Sequence, residues 1–368
     1  MKIFIVTPTL TNGGAERVAA MLAKGFSERG HDVTVVTHTN QKISYDPGPK
    51  VKLLPIAPDK KNAVLKWVTA VKWLRGYIKG EHPDVIIGIM AYCSYLARIS
   101  AIGTDAKVIL TEHSAFERIE GYPWKKKVKF LRNWVNFRFR YITVLTEQDK
   151  VAGGLRYSHA FVMPNPIPFN PYKGDIQCLK KEKYVLAVGR IYDWYVKGFD
   201  VLLEAWGLLM KNRLLNNENS TWTLKIAGTG TEEDIAYLRG LCQKYHIQNT
   251  VEFLGFRENM IDIYRRAEIF CLSSRSEGLP MALLEAMSQG CAPVATSNLG
   301  RTAEIIRTNE EGLICEPGNP HDLADKLYNL ISLKREELEK IQKKSVERSC
   351  FFSLDNIIDR WEKYLSQT

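Results

Sequence analysis

The sequence predicts an α/β protein built from two doubly wound, parallel-sheet domains. Short apolar strands alternate with amphipathic helices along most of the chain, and a single proline-rich segment interrupts this rhythm. A length of 368 residues also exceeds what one domain usually contains. The composition, with 45% hydrophobic and 25% charged residues, is that of a globular protein without short-period repeats.

The first half contains five apolar segments that we expect to form strands, each followed by a helical pattern. They are Ile3 to Thr7, Val33 to Thr37, Val85 to Ile89, Val108 to Thr111 and Ile142 to Leu145. Because strands and helices alternate, the sheet is predicted to be parallel and covered on both faces.

The domain boundary is predicted between Met163 and Pro171, where four prolines exclude a helix and stiffen the connection. Five further strands are expected after it. They are Tyr184 to Val188, Thr223 to Ala227, Val251 to Leu254, Ile269 to Leu272 and Pro293 to Ala295. We therefore predict domains at 1–165 and 173–350 and a final segment, 351–368. Domains facing each other would surround a central cleft with the carboxyl ends of both sheets, where such sheets bind ligands.

Charge and cysteine usage narrow the function classes. Residues 1–172 hold 25 Lys+Arg and 13 Asp+Glu, a net charge of +12, whereas residues 173–368 hold 26 and 28, a net charge of −2, which together give +10. The seven cysteines form no C-x-x-C pair, which argues against a zinc site or a disulfide framework and favours a cytoplasmic protein. No apolar run reaches the ~20 residues of a membrane-spanning helix, and the first residues do not resemble a signal peptide.

The segment from Thr11 to Arg17 follows the first strand and opens a helix. Its paired glycines, Gly13 and Gly14, allow backbone N–H groups to approach an anion at the positive end of the helix dipole. A tight turn without a ligand is the alternative. The third glycine of a dinucleotide-binding motif is absent, so NAD binding is weakly supported.

A second segment combines two glutamates with a helix start. It reads Glu277, Gly278, Leu279, Pro280, Met281, Ala282, Leu283, Leu284 and Glu285. Proline suits the first helical position, which makes Glu277 a loop residue and puts Glu285 roughly 7 to 8 Å further along the helix. Backbone amides could bind phosphate, and the carboxylates could bind sugar hydroxyls. The alternative is a pair of solvated surface glutamates.

Two cations and a histidine follow predicted strands. Gly189-Arg190 ends the first strand of the second domain, and Lys197-Gly198 is expected to open the next helix, so the two cations could hold a diphosphate. Gly228 follows the next strand. In the first domain, His113 ends a strand and is expected to face the cleft. Solvated cations and a structural histidine are the alternative interpretations.

Together these segments resemble the retaining glycosyltransferases of family 4, which have the two-Rossmann GT-B fold. The spacing from Glu277 to Glu285 around Gly-Leu-Pro is the most specific feature. The other matching segments are Gly13 to Arg17, Glu112 to Ser114, Pro164 to Pro166, Gly189-Arg190 and Lys197-Gly198. Gly-Gly-Ala-Glu-Arg with Glu-His-Ser is similar in particular to bacterial enzymes that extend polyprenyl-diphosphate-linked oligosaccharides.

The resemblance implies roles for individual residues. Arg190 and Lys197 would bind the donor diphosphate, Glu285 the ribose and Glu277 the donor sugar, with His113 over that sugar near the reacting centre. The other implied donor-binding residues are Gly13, Gly14, Gly228, Phe256, Gly278, Leu279, Pro280 and Met281. The final helix of the family usually crosses back to the first domain, and Phe352 to Leu365 is placed to do so. The segment from Tyr192 to Val196 is an unusually aromatic version of the family's loop.

The implied reaction is metal-independent transfer with retention of anomeric configuration. Fixed cations and helix amides would stabilise the negative charge of a departing diphosphate. No Asp-x-Asp sequence is present, so no metal or other cofactor is predicted, and a nucleotide-diphosphate sugar, with uridine as the preferred base, is a substrate.

Two basic segments of the first domain are predicted to lie on an anionic membrane surface, because cations alternate with Trp, Phe, Val and Leu. They are Lys60 to Arg75 and Trp124 to Arg140. In the second, the proposed membrane or acceptor residues are Lys125, Lys126, Lys127, Lys129, Arg132 and Trp134. Apolar packing onto the domain's own sheet is the alternative. No nucleic-acid-binding fold accompanies these charges, so nucleic acid is not an expected partner.

The sequence therefore predicts a glycosyltransferase that transfers a hexose or N-acetylhexosamine to a lipid-linked glycan at the inner face of the cell membrane. A noncatalytic, membrane-associated sugar-nucleotide sensor with the same fold is the alternative from another class, and a nicotinamide-dependent dehydrogenase is the other enzyme alternative.

Overall fold

The structure is a computed structural model that describes residues 1–11, 13–37, 43–56, 62–117, 125–211 and 222–368. Asn12, Lys60, Lys61 and Trp124, which belong to the predicted functional segments, lie outside the described residues. The chain divides into a first unit, residues Met1–Pro168 with Leu354–Thr368, and a second unit, Phe169–Ser353.

The first unit contains a parallel sheet of seven strands among the described residues. They are β1 (Lys2–Thr7), β2 (Asp32–Thr37), β3 (Lys52–Pro55), β4 (Val85–Ile89), β5 (Lys107–Thr111), β6 (Tyr141–Val144) and β7 (Phe161–Val162). Their order is β3-β2-β1-β4-β5-β6-β7. The central strand β4 is buried along its whole length, as expected for a parallel sheet covered on both faces.

Helices cover both faces of this sheet. They are α1 (Gly14–Glu28), α2 (Ala63–Glu81), α3 (Met90–Ser100), α4 (Lys126–Trp134) and α5 (Glu147–Gly153). Residues of α2 and α3 share one apolar core with the sheet, and residues of α1 form the core on the opposite face. The helix α2 buries only every fourth residue, Ala70, Leu74 and Ile78, so most of its surface is exposed.

The second unit repeats this architecture with a parallel sheet of six strands among its described residues. They are β8 (Glu182–Val188), β9 (Thr223–Ala227), β10 (Val251–Gly255), β11 (Ala267–Leu272), β12 (Ala292–Thr296) and β13 (Leu313–Cys315). The helices are α6 (Trp194–Lys197), α7 (Phe199–Leu209), α8 (Glu232–Lys244), α9 (Met260–Arg266), α10 (Met281–Ser288), α11 (Pro320–Ile331) and α12 (Arg335–Ser349). The strand order is β10-β9-β8-β11-β12-β13.

The last helix, α13 (Leu354–Gln367), belongs to the first unit although it follows the second along the chain. It is amphipathic, and Ile357, Ile358, Trp361 and Leu365 are buried in the core that contains α1. The Tyr364 ring stacks on the ring of Phe161 in β7 with centroids 4.7 Å apart. The core of the first unit is therefore built from both ends of the sequence.

The predicted fold class is confirmed: both units are α/β with parallel sheets. All ten predicted strands are present, with ends that differ by at most two residues. The strands β3, β7 and β13 were not predicted, because they contain only two to four residues and are only partly buried. Among the described residues, every helix is too short or too polar to span a lipid bilayer.

Candidate active site

Several predicted site residues lie where the parallel strands of the second unit end. Gly189 and Arg190 follow β8, Gly228 follows β9 and Phe256 follows β10. The order of strands reverses between β8 and β11, and sheets of this kind bind ligands beyond the carboxyl ends of the strands at such a point. We call this end of the second sheet the carboxyl edge.

Lys197 and Glu277 form an ion pair at the carboxyl edge. Lys197 Nζ lies 2.7 Å from Glu277 Oε1, and the side chains are 17% and 14% exposed. Ser274 Oγ, which follows β11, donates a second hydrogen bond of 2.7 Å to the same oxygen. Because both bonds reach Oε1, Glu277 Oε2 accepts none from the described residues. The site thus offers a fixed ammonium group and a carboxylate oxygen that can accept from a ligand hydroxyl.

The backbone of Glu277 is held by Asn298, which follows β12. Asn298 Oδ1 accepts from the Glu277 N–H at 2.8 Å, and Asn298 Nδ2 donates to the Glu277 carbonyl at 3.2 Å. Asn298 and Leu299 both have left-handed backbone conformations, with φ of 48° and 55°. Two consecutive left-handed residues that are not glycine are strained, and such strain is frequent at functional sites.

The sequence analysis did not identify Ser274 or Asn298. Ser274 lies two residues, and Asn298 three residues, after a segment in which a strand was predicted, so a serine or asparagine close to the carboxyl end of a parallel strand was the available signal. Their shared partner, Glu277, is distant from Asn298 in sequence, so only the fold reveals that they form one group.

Two glycines allow the backbone of the carboxyl edge to pack closely. Gly198 has a φ of +65°, and a Cβ at this position would lie 2.0 Å from the Ser273 carbonyl oxygen. Gly228 has a φ of +151°, and its Cβ would lie 1.8 Å from the Gly189 carbonyl oxygen. A larger residue at either position would displace the neighbouring strand end.

Lys197 ends α6 instead of opening the next helix, which corrects the sequence prediction. The left-handed Gly198 stops α6 and provides the N-cap of α7. The Lys197 carbonyl accepts a hydrogen bond of 2.9 Å from Ser273 Oγ. The ammonium group is therefore anchored at its backbone as well as through Glu277.

The aromatic segment from Tyr192 to Val196 forms a short 3₁₀ turn followed by α6. Arg275 fixes this segment: its guanidinium lies 4.1 Å from the Tyr195 ring centroid and donates to the Tyr195 carbonyl. Arg275 also forms a two-point ion pair with Asp200 at 2.7 and 2.8 Å. At least one aromatic residue of the segment, Tyr195, thus has a structural role, because its ring packs against the guanidinium of an arginine that is held by Asp200.

Arg190 is more accessible than Lys197. Its side chain is 61% exposed and pairs with Asp193 at 2.8 Å, three residues along the chain. Its guanidinium also lies 5.5 Å from the Tyr192 ring centroid. An exposed ion pair of this type is weak, so Asp193 would release Arg190 to an anionic ligand at little cost.

The helix α10 contains Glu285, the second of the two glutamates that the sequence analysis identified. The sequence analysis predicted Pro280 as the first residue of this helix, but Pro280 is the N-cap and the helix begins at Met281. Glu285 is buried, and its Oε2 accepts a hydrogen bond of 3.0 Å from Tyr264. Before the helix, the backbone N–H groups of Gly278 and Leu279 have no acceptor among the described residues, so they can bind an anion.

Four other predicted donor-binding residues differ in accessibility. Leu279 and Pro280 are buried, and Met281 is partly buried at the first turn of α10. Phe256 is 69% exposed, directly after Gly255, whose φ is +68°. Phe256 is thus free to contact a planar ligand, whereas Leu279 and Pro280 support the backbone of the helix start.

In the first unit, the paired glycines begin α1. Gly13 is the N-cap with an extended backbone, and Gly14 is the first residue of the helix. A Cβ at Gly14 would meet no atom within 4 Å, whereas a Cβ at Gly13 would lie 1.8 Å from a carboxylate oxygen of Glu16. The space at Gly14 is open, as an approaching phosphate would require, while at Gly13 the end of the Glu16 side chain would have to move to make room for a larger residue.

His113 lies just beyond β5. Its Nε2 lies 2.9 Å from Thr111 Oγ1, whereas its Nδ1 is buried and has no hydrogen-bond partner among the described residues. Burial lowers the pKa of His113 to about 4, and the Asn165 side chain opposes this shift. The ring is therefore neutral at pH 7.

The basic segment after residue 124 forms α4 and then a 3₁₀ turn, Asn136–Arg138. Lys125, Lys126, Lys127 and Lys129 are exposed. Phe130 and Trp134 are also exposed, at 58% and 51%. The prediction that Arg132 belongs to this surface is wrong, because Arg132 is only 6% exposed and its guanidinium contacts a buried carboxylate.

Neither a metal cluster nor a disulfide is found in the described part of the chain. Its His, Cys, Asp and Glu side chains form no group of three that could hold a metal ion. The seven cysteines are free thiols. Burial raises the pKa of Cys242 and Cys291 to about 11, which makes both thiols unreactive at pH 7.

Two protein-family models match the chain. The model described as Glycosyltransferase Family 4 matches residues 12–167, and the model described as Glycosyl transferases group 1 matches residues 172–348. Together they extend over nearly the whole sequence, one in each unit.

Full-length relatives are found in bacteria. The chain is 26% identical to the amylovoran biosynthesis glycosyltransferase AmsD of Erwinia amylovora, with 99% of each chain covered. It is 27% identical to an α-1,4-N-acetyl-D-galactosaminyltransferase of Campylobacter jejuni that acts on a GalNAc-containing, undecaprenol-diphosphate-linked glycan, with 100% of this chain and 99% of the relative covered.

Among solved structures, HepE of Anabaena in complex with UDP and glucose is similar to this chain. The TM-score is 0.78 at 18% identity, with both chains covered completely. At this identity the likeness concerns the fold alone. The fold, the two family models and the full-length relatives agree with the resemblance read from the sequence, and the chain belongs to the GT-B glycosyltransferases, with a family 4 N-terminal unit and a group 1 C-terminal unit.

Proposed function

We propose that this protein is a retaining, metal-independent glycosyltransferase that transfers a hexose or N-acetylhexosamine from a UDP-sugar to a hydroxyl of a lipid-linked oligosaccharide. The observation that carries the donor half of this proposal is the Lys197–Glu277 ion pair at the carboxyl edge. It combines a cation suited to a diphosphate with a carboxylate oxygen suited to sugar hydroxyls.

Donor binding would replace the carboxylate partners of Lys197 and Arg190 with the diphosphate. In the free protein Glu277 neutralises Lys197, and Asp193 neutralises Arg190. A diphosphate would take both cations, and the glutamate would then accept from the donor sugar. The free N–H groups of Gly278 and Leu279 would add hydrogen bonds to the anion. We assign Glu285 to the ribose and Phe256 to the neighbourhood of the base, as the family resemblance implies.

In the proposed chemical step, the bond between the anomeric carbon and the diphosphate oxygen breaks while a bond to the acceptor oxygen forms on the same face. The acceptor proton moves to an oxygen of the departing diphosphate. Lys197 and Arg190 stabilise the charge that develops on this leaving group, which is the task a metal ion performs in other transferases. His113, neutral at pH 7, is assigned to contacts with the donor sugar.

The lipid-linked acceptor is supported by the relatives and by the surface of the first unit. The C. jejuni relative acts on an undecaprenol-linked glycan. In this chain, α4 and its N-cap expose four lysines beside Phe130 and Trp134. The helix α2 adds exposed apolar side chains, among them Val64, Leu65 and Trp73. Such surfaces bind anionic membranes, so we place the enzyme peripherally at the inner face of the cell membrane.

A thermal-shift screen of UDP-, GDP- and ADP-sugars tests the donor. A ligand at a hundredfold excess over its Kd stabilises the folded state by about 2.7 kcal/mol, so the correct donor raises the melting temperature by several degrees. Release of UDP and labelling of a polyprenyl-diphosphate oligosaccharide then test transfer. Binding without transfer across a broad acceptor panel would favour the sugar-nucleotide sensor, and failure of all three donor classes to bind would refute the proposal.

A further inference from the structure

The helix α4 presents cations to solvent and also buries one. Arg132 is the buried residue of α4. The other cations of this helix and its N-cap, Lys125 to Lys127 and Lys129, are exposed. The helix therefore contacts the interior of its unit mainly through a charged group.

The guanidinium of Arg132 contacts the chain on both sides of His113. Its Nη2 donates to Glu112 Oε2 and to the Ser114 carbonyl, both at 3.1 Å, and its Nη1 donates to the Ala115 carbonyl at 2.9 Å. The Phe116 ring centroid lies 4.6 Å from the guanidinium carbon. We call residues Glu112 to Phe116 the His113 loop.

Additional buried hydrogen bonds fix this arrangement. Asn136 Nδ2, from the turn after α4, donates to Glu112 Oε1 at 2.5 Å, and Tyr95 donates to Asn136 Oδ1. Tyr157 donates to the Arg132 carbonyl at 3.0 Å. Both carboxylate oxygens of Glu112 are thus occupied by groups from α4 and the turn that follows it.

The ends of the His113 loop are attached to other elements. The Glu112 N–H donates to the Thr143 carbonyl at 2.9 Å, and the Phe116 N–H donates to Asp149 Oδ1 at 3.1 Å. Between these ends, the carbonyls of Ser114 and Ala115 are bound by Arg132. A displacement of α4 must therefore either carry the middle of the loop with it or separate a buried ion pair, which is costly in a poorly solvated interior.

We propose that Arg132 is a positioning residue for His113, through which the binding of α4 to an anionic lipid surface fixes the His113 loop in the geometry used for transfer. This inference rests on the proposed function. The occupant of the exposed face of α4 is a membrane containing anionic lipid, since that face combines four lysines with exposed Phe130 and Trp134. Lipid can shift the loop only if it binds one arrangement of α4 better than another, and Arg132 supplies the link between them.

The direct test is the imidazole NMR signal of His113 in the full chain, identified by its loss in His113→Gln. Adding vesicles of phosphatidylglycerol and phosphatidylcholine is expected to shift this signal in the wild type, whereas vesicles of phosphatidylcholine alone leave it unchanged. Arg132→Lys keeps the charge but not the forked geometry of the guanidinium. We expect it to bind the vesicles with unchanged Kd and to lose the shift. Arg138→Lys, the same change at an exposed site after α4, is the control and retains the shift.

Kinetics separate positioning from folding. With the donor that gives the largest thermal shift, Arg132→Lys is expected to lower kcat about tenfold with an unchanged donor KM, and vesicles no longer raise kcat. If Arg132→Lys does not fold, the milder Asn136→Ala takes its place. The inference is overturned if anionic vesicles do not shift the His113 signal of the wild type. It is also overturned if folded Arg132→Lys shows the same vesicle-induced shift as the wild type. Failure to bind or transfer any sugar defeats the proposed function instead, while the NMR result continues to test the coupling.

Discussion

Each unit contains a cation–carboxylate pair near the carboxyl ends of its parallel strands, and the two pairs differ in their access to solvent. In the first unit, the side chains of Glu112 and Arg132 are each 7% exposed. In the second unit, Lys197 and Glu277 are two to three times as exposed. The same chemical pairing therefore occurs once as a closed network and once as an accessible site.

The hydrogen bonds of the two carboxylates explain this difference. Each oxygen of Glu112 accepts from a protein group, and the side chain is buried, so a ligand has little access to this carboxylate. Glu277 accepts twice through one oxygen, and its second oxygen accepts from none of the described residues. A closed pair holds chain segments in place, whereas an open pair can exchange its partners for a substrate.

The largest expected effect concerns the closed pair. Glu112→Ala leaves the Arg132 guanidinium buried without its carboxylate, which should lower the free energy of unfolding by about 3 to 5 kcal/mol. Glu277→Ala should lower it by less than about 1.5 kcal/mol, since the more accessible Lys197 can be hydrated. Urea denaturation at pH 7 measures both, with Glu252→Ala at an exposed pair as the control. Equal losses for Glu112→Ala and Glu277→Ala would contradict the distinction.

The next effect concerns catalysis at the open pair. Lys197→Ala should lower turnover by about 100- to 1,000-fold, because a positioned charge at the leaving group is lost, while the melting temperature changes by only a few degrees. Arg190→Ala should lower turnover less, by about tenfold, as its side chain is largely exposed. Lys225→Ala, which removes another paired lysine of the second unit, is the control. Wild-type turnover in Lys197→Ala would remove the basis for the donor site.

A third prediction compares exposed lysines of the first unit with exposed lysines of the second unit. Replacing Lys125, Lys126, Lys127 and Lys129 by glutamine should weaken binding to anionic vesicles by ten- to a hundredfold, since each basic residue near the surface contributes up to about 1 kcal/mol. The effect should shrink as ionic strength rises. Vesicle sedimentation measures the affinity. Glutamine at Lys334, Lys340, Lys343 and Lys344 gives the same change of net charge in the second unit, and an equally large loss there would argue for nonspecific attraction.

The smallest effect concerns pH. Burial lowers the pKa of His113 to about 4 in the folded protein, from the ordinary histidine value of 6.5. Between these pH values the unfolded chain binds a proton that the folded chain does not bind, so stability falls as pH decreases from 6.5 to 4. The loss should be on the order of 2 kcal/mol for this partly exposed ring. His113→Asn should remove this part of the pH dependence, which denaturation at pH 7 and pH 4.5 measures. Parallel pH profiles for both proteins would be the contrary result.

The sequence predicted the fold better than the site because strands have local signals and side-chain partners do not. Val85 to Ile89 and Thr223 to Ala227 were predicted with the limits that the structure shows, since the first is an apolar run and the second alternates polar and apolar residues before Gly228. The edge strand β3 has an exposed leucine and a terminal proline, so its composition does not resemble a buried strand. Pattern alone gave no reason to expect a strand there.

For the site, residue type identified Glu277 and Lys197 but not the groups that orient them. Ser274 lies only three residues before Glu277 in the same loop, whereas Asn298 reaches Glu277 because the ends of the paired strands β11 and β12 lie side by side. Arg132, in contrast, was identified from the sequence but assigned to the wrong environment. Within a run of cations, its type suggested a surface residue, yet the helical period turns this one position toward Glu112. A charge whose partner lies twenty residues away cannot be recognised as buried from its neighbours.

The position of α13 has a consequence for biosynthesis. The residues that complete the core of the first unit, including Ile357 and Trp361, leave the ribosome only after the whole second unit has been translated. Until then the nascent first unit exposes the apolar surface of α1 that these residues later cover, which makes it a substrate for chaperones during elongation. The unit that emerges first from the exit tunnel is thus the last to reach its native state.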